Sequence, residues 1–294
     1  MKYKISSKGK DNKKTSGWGT YAWFLHQADS DEASPASYFA HGLNGYQQFR
    51  HEALVNFLRK NLRDEELNNI VDVGCGSGDL LELIRLEFNV GTALGIDFIE
   101  KVLQVARNNF PELEFSLSAL PKLPVSKDTA DMVVVSEVLY YLSDEDRLTA
   151  LNKIYDALKP GGYIFFTSVL GKEYFIESSA KALIESKFEI KNLGFLHNRL
   201  YHYIKFLPHR ILRFGELLQK NKIPGSDKNR VIFERFEPWF KTSFSQMLLR
   251  FLLKPCSLFM ASPYIPKICE WLAKYMGKRF RANILILAQK RVEI

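Results

Sequence analysis

The sequence predicts an α/β fold: a seven-stranded, mostly parallel sheet with helices on both faces and a helical insertion before the last strand. Three observations carry this expectation. Short, continuous apolar runs alternate with amphipathic helical stretches through residues 69–197, and strands without an inside–outside alternation belong to a sheet covered on both faces. A glycine-rich turn joins the first strand to the first helix of that series, in VDVGCGSGDLLELI from Val71 to Ile84. A last apolar run, NILILAQKR, returns at the C-terminus after a long interruption of different composition.

Each segment has its own reason. Residues 1–14 hold six Lys and one Asp with no apolar stretch, which predicts a basic disordered tail and no secretory signal. Residues 15–69 are expected to form an N-terminal helical cap. Within it GWGTYAWFL is aromatic, and Phe49, Ala53, Leu54, Phe57 and Leu58 recur at helical spacing. The core is placed at 70–197. NIVDVG is a strand and DLLELIRLEF a helix; ALGID is a strand and IEKVLQVARNNF a helix. LEFSLS and DMVVVSEV are the third and fourth strands. The helix DEDRLTALNKIYDAL is expected to end at Lys159-Pro160-Gly161-Gly162, and YIFFTSV is the fifth strand. A helix around 173–186 and the strand KFEIKNLGF follow. Residues 198–282 form a basic insertion, cut into short helices by Pro208, Pro224, Pro238, Pro255 and Pro263. Residues 283–294 supply the final strand.

The net charge of +8 conceals an asymmetry. Residues 15–197 carry 16 Lys+Arg against 26 Asp+Glu, whereas residues 198–282 carry 17 against 5. Apolar residues at 46% leave material for a sizeable core. Cys75, Cys256 and Cys269 have neither disulfide-framework nor zinc spacing, so a reducing cytoplasm is expected and no metal is implied. The most apolar region, FSQMLLRFLLKPCSLFMASPYI, is interrupted by Arg250, Lys254 and Pro255, which argues against a membrane span.

The glycine turn limits its own ligand. Gly74, Gly76 and Gly78 give G-x-G-x-G, and Asp79 stands where a dinucleotide turn has its third glycine. A carboxylate there suits the helix dipole but repels a diphosphate. Asp72 adds a second negative charge, and no Gly-Lys-Ser/Thr follows to make a P-loop. The turn therefore favours a cationic or zwitterionic ligand. S-adenosylmethionine (SAM) fits, with an ammonium for Asp72, a carboxylate for backbone N–H groups and no phosphate.

With these residues in view, the chain resembles the class I SAM-dependent methyltransferases. The resemblance covers about residues 65–197 and the final strand. It rests on VDVGCGSG, LGIDFIEKVLQVAR, the Leu123-Pro124 to Ala130-Asp131 approach to strand four, and LKPGGYIFFTSV. It implies a Rossmann-like methyltransferase sheet and SAM as cofactor. Asp72, Gly74, Cys75, Gly76 and Gly78 would surround its methionine part, Asp97 would bind the ribose, and Phe98 and Ile99 would pack on the adenine. Ser118, Ala119 and Leu120 stand where relatives place an acid for the adenine amine. Ser136 would line the sulfonium side.

The candidates for the chemistry follow strand four, in SEVLYYLSDEDR: Glu137, Tyr140 and Tyr141. The string SEVLYYL is similar to one in nodulation-type N-methyltransferases. His41 and Tyr46 are further candidates, placed to close over the site from the N-terminal cap. Arg50 lies four residues after Tyr46 on the same helix face, where it serves either the site or the solvated surface. His197 and His202 border the insertion. The expected acceptor is nitrogen or oxygen of a small or glycan-like molecule, lipid-linked or free. The alternatives are a lipid, quinone or fatty-acyl methyltransferase at a membrane surface and a SAM-binding partner subunit without catalysis. The basic, apolar insertion reads as a substrate lid, an anionic-membrane surface that would make the protein peripheral, or both. Nucleic acid fits it less well, because it is apolar and not Gly/Arg-rich.

Overall fold

The computed structural model describes residues 45–171, 174–204, 262 and 264–291. The basic tail, the Trp18–Leu25 aromatic stretch, His41 and most of the basic insertion lie outside the described residues.

Helix α1 (Gly45–Asn61) leads into β1 (Asn69–Val73), α2 (Asp79–Phe88), β2 (Thr92–Asp97), α3 (Glu100–Asn109) and β3 (Glu114–Leu117). β4 (Ala130–Ser136), a 3₁₀ turn (Leu139–Tyr141), α4 (Asp144–Ala157), β5 (Leu158–Val169), α5 (Glu177–Glu185) and β6 (Phe188–Leu196) follow. The last part of the insertion forms α6 (Tyr264–Tyr275) and a second 3₁₀ turn (Lys278–Phe280), and β7 (Asn283–Lys290) follows it. The seven strands lie in the order β3-β2-β1-β4-β5-β7-β6, all parallel except β7, which runs antiparallel to both neighbours.

The unbroken apolar run of β4 now has its explanation. Met132 and Val134 pack on one face with α1 and α2, and Val133 and Val135 on the other with α4 and α5; all four are fully buried. Helix α4 begins at Ser143, whose Oγ accepts the Asp146 N–H (3.1 Å), and Asp144, Glu145 and Asp146 complement the dipole of its first turn.

One expectation is corrected. Lys159-Pro160-Gly161-Gly162 does not stop α4, which already ends at Ala157; these residues lie inside β5. Ala130 pairs with Leu158 and Met132 with Tyr163, so four residues bulge opposite Asp131. Lys159 Nζ ties the bulge to the Asp131 carboxylate at 2.6 Å. A Cβ on Gly162 would meet the carbonyls of Lys159, Asp131 and Ala130 at 3.0–3.2 Å, so only glycine fits the bulge without displacing backbone.

The strand order reverses between β1 and β4. In open α/β sheets the crevice at the carboxyl ends beside such a reversal is where ligands bind, and the residues just past β1, β2, β4 and β5 converge there.

Candidate active site

A cavity of about 570 Å³ opens at that crevice. Its inner half is lined by Gly74, Gly76, Asp97, Phe98, Ile99 and Val102. The loop after β1 is clamped to β2, because the N–H groups of Gly74 and Cys75 both donate to the Ile96 carbonyl (2.7 and 3.1 Å). Gly74 and Gly76 have φ of +76° and +56°, in the left-handed region that glycine adopts without penalty. A Cβ on Gly74 would sit 2.3 Å from Val138 Cγ2, whereas one on Gly76 would project into open space at the cavity.

Asp97 organises this half. Its Oδ2 accepts the Gly76 N–H and its Oδ1 the Ile99 N–H, both at 3.0 Å. Burial raises its pKa, and those backbone donors oppose the rise. Asp72 lies behind, 2% exposed, and its Oδ1 has no hydrogen-bond partner among the described residues. Burial first, then the Asp97 charge, push Asp72 up to about 7, against the pull of Arg50. An orphaned buried carboxylate oxygen, a carboxylate fixed by two backbone N–H groups and open space at Gly76 fit the cationic, ribose-bearing cofactor that the sequence implies.

The raised Asp72 pKa makes stability depend on pH. Between about 4 and 7 the folded protein holds a proton that the unfolded chain has released, so stability falls as pH rises through that window. The slope is at most about 1.4 kcal/mol per pH unit. The melting temperature of Asp72→Asn, taken relative to that of the ligand-free native protein, should therefore be higher at pH 8 than at pH 5, whereas buried His51, lowered to about 3, shifts both proteins alike in the opposite sense. Thermal melts of both proteins across the same range check this.

The outer half is built from distant segments. Tyr46, Gln47 and Arg50 reach it from α1, Tyr140 and Tyr141 from the first 3₁₀ turn, and Tyr174 from the loop after β5. Arg199, His202 and Asn283 come from the far end of the sheet. Arg50 points inward: it donates to Ser136 Oγ (2.7 Å) and lies 3.7 Å from Glu137 Oε1. Glu137 has φ +62°, an uncommon backbone for a residue with a side chain. Its Oε1 accepts from Asn283 Nδ2 (2.9 Å) and Thr167 Oγ1 (3.2 Å), and its Oε2 from the Val169 N–H (2.8 Å). One carboxylate thus joins α1, β4, β5 and β7.

The Tyr46 hydroxyl accepts from Asn198 Nδ2 and lies 3.2 Å from His202 Nε2, while its ring stacks on Tyr201 at 5.1 Å. Burial pushes its phenol up, so it stays protonated. Tyr140 is tilted against Tyr141 (4.3 Å between centroids) and edge-on to Tyr174 (5.0 Å). Burial raises both Tyr140 and Tyr141, the latter to about 12.

Of the residues singled out from sequence, Gly74, Gly76, Asp97, Phe98, Ile99, Ser136, Glu137, Tyr140, Tyr141 and Tyr46 line this one cavity. Asp72, Cys75, Gly78, Ser118, Ala119 and Leu120 are not in its lining. Cys75 is buried and its thiol is pushed up by that burial, so it is a packed side chain and no nucleophile. Gly78 backs onto Phe110 and Phe115. Ser118 is drawn away, its N–H donating to the Asp97 carbonyl (2.9 Å) and its Oγ to the Lys122 carbonyl (3.1 Å), while Leu120 packs against the core. His197 is likewise turned away: its N–H donates to Glu270 Oε2 (2.6 Å). Sequence reasoning left Gln47, Tyr174, Arg199 and Asn283 unassigned. Among the described residues no His/Cys/Asp/Glu cluster could hold a metal ion, and no helix is long and apolar enough to cross a membrane.

A family model described as "Methyltransferase domain" matches residues 70–162. The trans-aconitate 2-methyltransferase of Variovorax paradoxus is 29% identical over 99 residues, 34% of this chain and 38% of that protein. The malonyl-[acyl-carrier protein] O-methyltransferase of Halalkalibacterium halodurans is 27% identical over 176 residues, 56% of this chain and 62% of that protein. The chain thus spans less than two thirds of the length of either relative. Among solved structures, a phosphoethanolamine N-methyltransferase 2 from Haemonchus contortus superposes with a TM-score of 0.51 at 15% identity, over 91% of this chain and 59% of that one. At that identity the likeness is one of fold.

Proposed function

This chain carries a class I SAM-dependent methyltransferase domain, and from that premise we propose that the protein transfers a methyl group to nitrogen or oxygen of a small acceptor held in the outer half of the cavity. The observation that carries the reading is continuity. A single open cavity runs from Asp97 and the glycine loop to Tyr46, Tyr140 and His202, so the residues expected to hold cofactor and acceptor face one space.

Bound SAM supplies an electrophilic methyl carbon on a positive sulfur. The chain's own residues do the rest. Asp97 and the Gly74–Gly76 backbone would hold the nucleoside and amino-acid parts, and Asp72, buried behind the lining, would favour the ammonium through its charge. The tyrosine walls exclude water and orient the acceptor, and orientation alone accounts for about 7–11 kcal/mol in favourable intramolecular systems. Glu137 is occupied by three donors and Arg50, so it acts as an anchor that positions Arg50 and Ser136. An acceptor that must lose a proton gives it to the His202 imidazole, directly or through the Tyr46 hydroxyl beside it.

Replacing His202 with Ala should lower methyl transfer by about 100-fold or more, the scale of a lost general base, with SAM affinity unchanged. The check is transfer of labelled methyl from SAM into a low-mass cell extract, alongside calorimetry. Equal transfer by both proteins would remove His202 from the chemistry. Incorporation by neither, despite SAM binding, would favour a binding subunit over an enzyme.

A further inference from the structure

Helix α6 turns its apolar stripe outward. It buries Pro266, Cys269, Glu270 and Ala273 against the body and exposes Tyr264 (70%), Ile268 (53%), Trp271 (59%) and Tyr275 (79%), with Leu272 and Met276 beside them. Steps of four, three and four residues place the first four along one helix face. Polar contacts fix this orientation. Glu270 receives the His197 N–H on the inner side, and Lys267 Nζ meets Glu52 of α1 at 2.7 Å. The helix therefore presents Trp, Tyr and Ile to solvent in a defined orientation.

Among the described residues, the charge that α6 and the following turn carry outside ion pairs is cationic. Lys274, Lys278 and Arg279 are exposed, and none forms an ion pair among the described residues. Glu270 is the only acid between residues 264 and 291, and it is buried. Lysines are depleted in protein–protein interface cores. Interfacial tryptophan and tyrosine, apolar side chains and a cationic rim whose neighbouring acids, Glu52 and Glu177, are paired with Lys267 and Arg281 are together the composition of a surface that lies in an anionic lipid interface.

We propose that the outer face of α6, with the Lys278–Phe280 turn, docks on an anionic lipid bilayer. The docked face adjoins the cavity. Ala282 and Asn283 line it immediately after that turn, and Arg199 of the lining donates to the Arg279 carbonyl at 3.1 Å. The docking rests on the helix alone and does not depend on the transfer reaction.

The test is co-sedimentation of the whole chain with vesicles of phosphatidylglycerol and phosphatidylcholine, against phosphatidylcholine alone, at low salt. Binding to the anionic vesicles is expected. The Lys274→Gln/Lys278→Gln variant should lower the partition coefficient by about 25-fold, at roughly fivefold per cation, and Ile268→Glu/Trp271→Glu should abolish binding. SAM calorimetry on each variant reports that the fold and cofactor site are intact. Full binding by both variants would assign the lipid contact to another part of the chain and overturn the proposal. Equal binding to phosphatidylcholine, no binding, or a lipid-free dimer lost in Trp271→Glu would each overturn it as well.

Discussion

Replacing Asp97 with Ala is expected to weaken SAM binding by at least about 100-fold while leaving the protein folded. Asp97 is the carboxylate at the end of β2, held by the Gly76 and Ile99 N–H groups at 3.0 Å. A hydrogen bond to a charged group contributes about 1.5–3 kcal/mol, so two ribose hydroxyls on this carboxylate account for the loss. The Gly76 N–H also loses its anchor, which loosens the loop that receives the rest of the ligand. Stability moves differently. Burial already disfavours the ionised form of Asp97, and its charge raises Asp72; removing it relieves that repulsion. Calorimetry should show the lost affinity, and the thermal midpoint should change much less, because the relieved repulsion offsets the cost of orphaning the Gly76 and Ile99 N–H groups. Asp97→Asn, which keeps one acceptor oxygen, should fall between the two.

Replacing Glu137 with Ala is expected to be the most damaging change to the fold at the site. The substitution orphans the Asn283 Nδ2 amide and the Val169 N–H, leaves the Thr167 hydroxyl only its 3.0 Å bond to Ser136 Oγ, and leaves Arg50 without its counter-charge. The Arg50 and Glu137 side chains are 13% and 15% exposed, so water compensates little. Breaking such a pair costs about 3–5 kcal/mol, or a fall of about 10 °C in Tm for a chain of this size. Arg50 and Ser136 then lose their positions and methyl transfer falls with them. Glu137→Gly separates the causes: it relieves the left-handed backbone at φ +62° but lacks the carboxylate. It should still lose most of the stability in thermal melts; recovery to the native midpoint would mean that backbone strain, not the anchor, matters there.

The parallel core was legible in sequence because each element's pattern is local. The apolar run of β4, the periodicity of α2 and α3, and the glycines after β1 depend on a few neighbouring residues. What was not legible depends on partners. The Pro160-Gly161-Gly162 run has the composition of a terminator, and only its pairing with β4 makes it a bulge inside β5. Arg50 could face either way on its helix, and the packing of α1 over the carboxyl end of β4 turns it towards Ser136. Asn283 and Arg199 carry no sequence signal, because the antiparallel insertion of β7 between β5 and β6 brings them to the cavity. Ser118 occupied the expected place in the pattern, yet its hydroxyl is satisfied within its own turn. Local acids and glycines thus outline the cofactor half, and the acceptor half is assembled by topology.

The central claim is that one cavity receives both reactants, with the nucleoside at Asp97 and the reacting sulfur facing the Tyr46–Tyr140–His202 side. A crystal structure of the whole chain with S-adenosylhomocysteine tests it most directly. The account predicts ribose hydroxyls on the Asp97 carboxylate, the amino-acid part over Gly74–Gly76 and the sulfur directed at the outer half. Density for the ligand elsewhere, or in this cavity with the sulfur turned away from those residues, would contradict it.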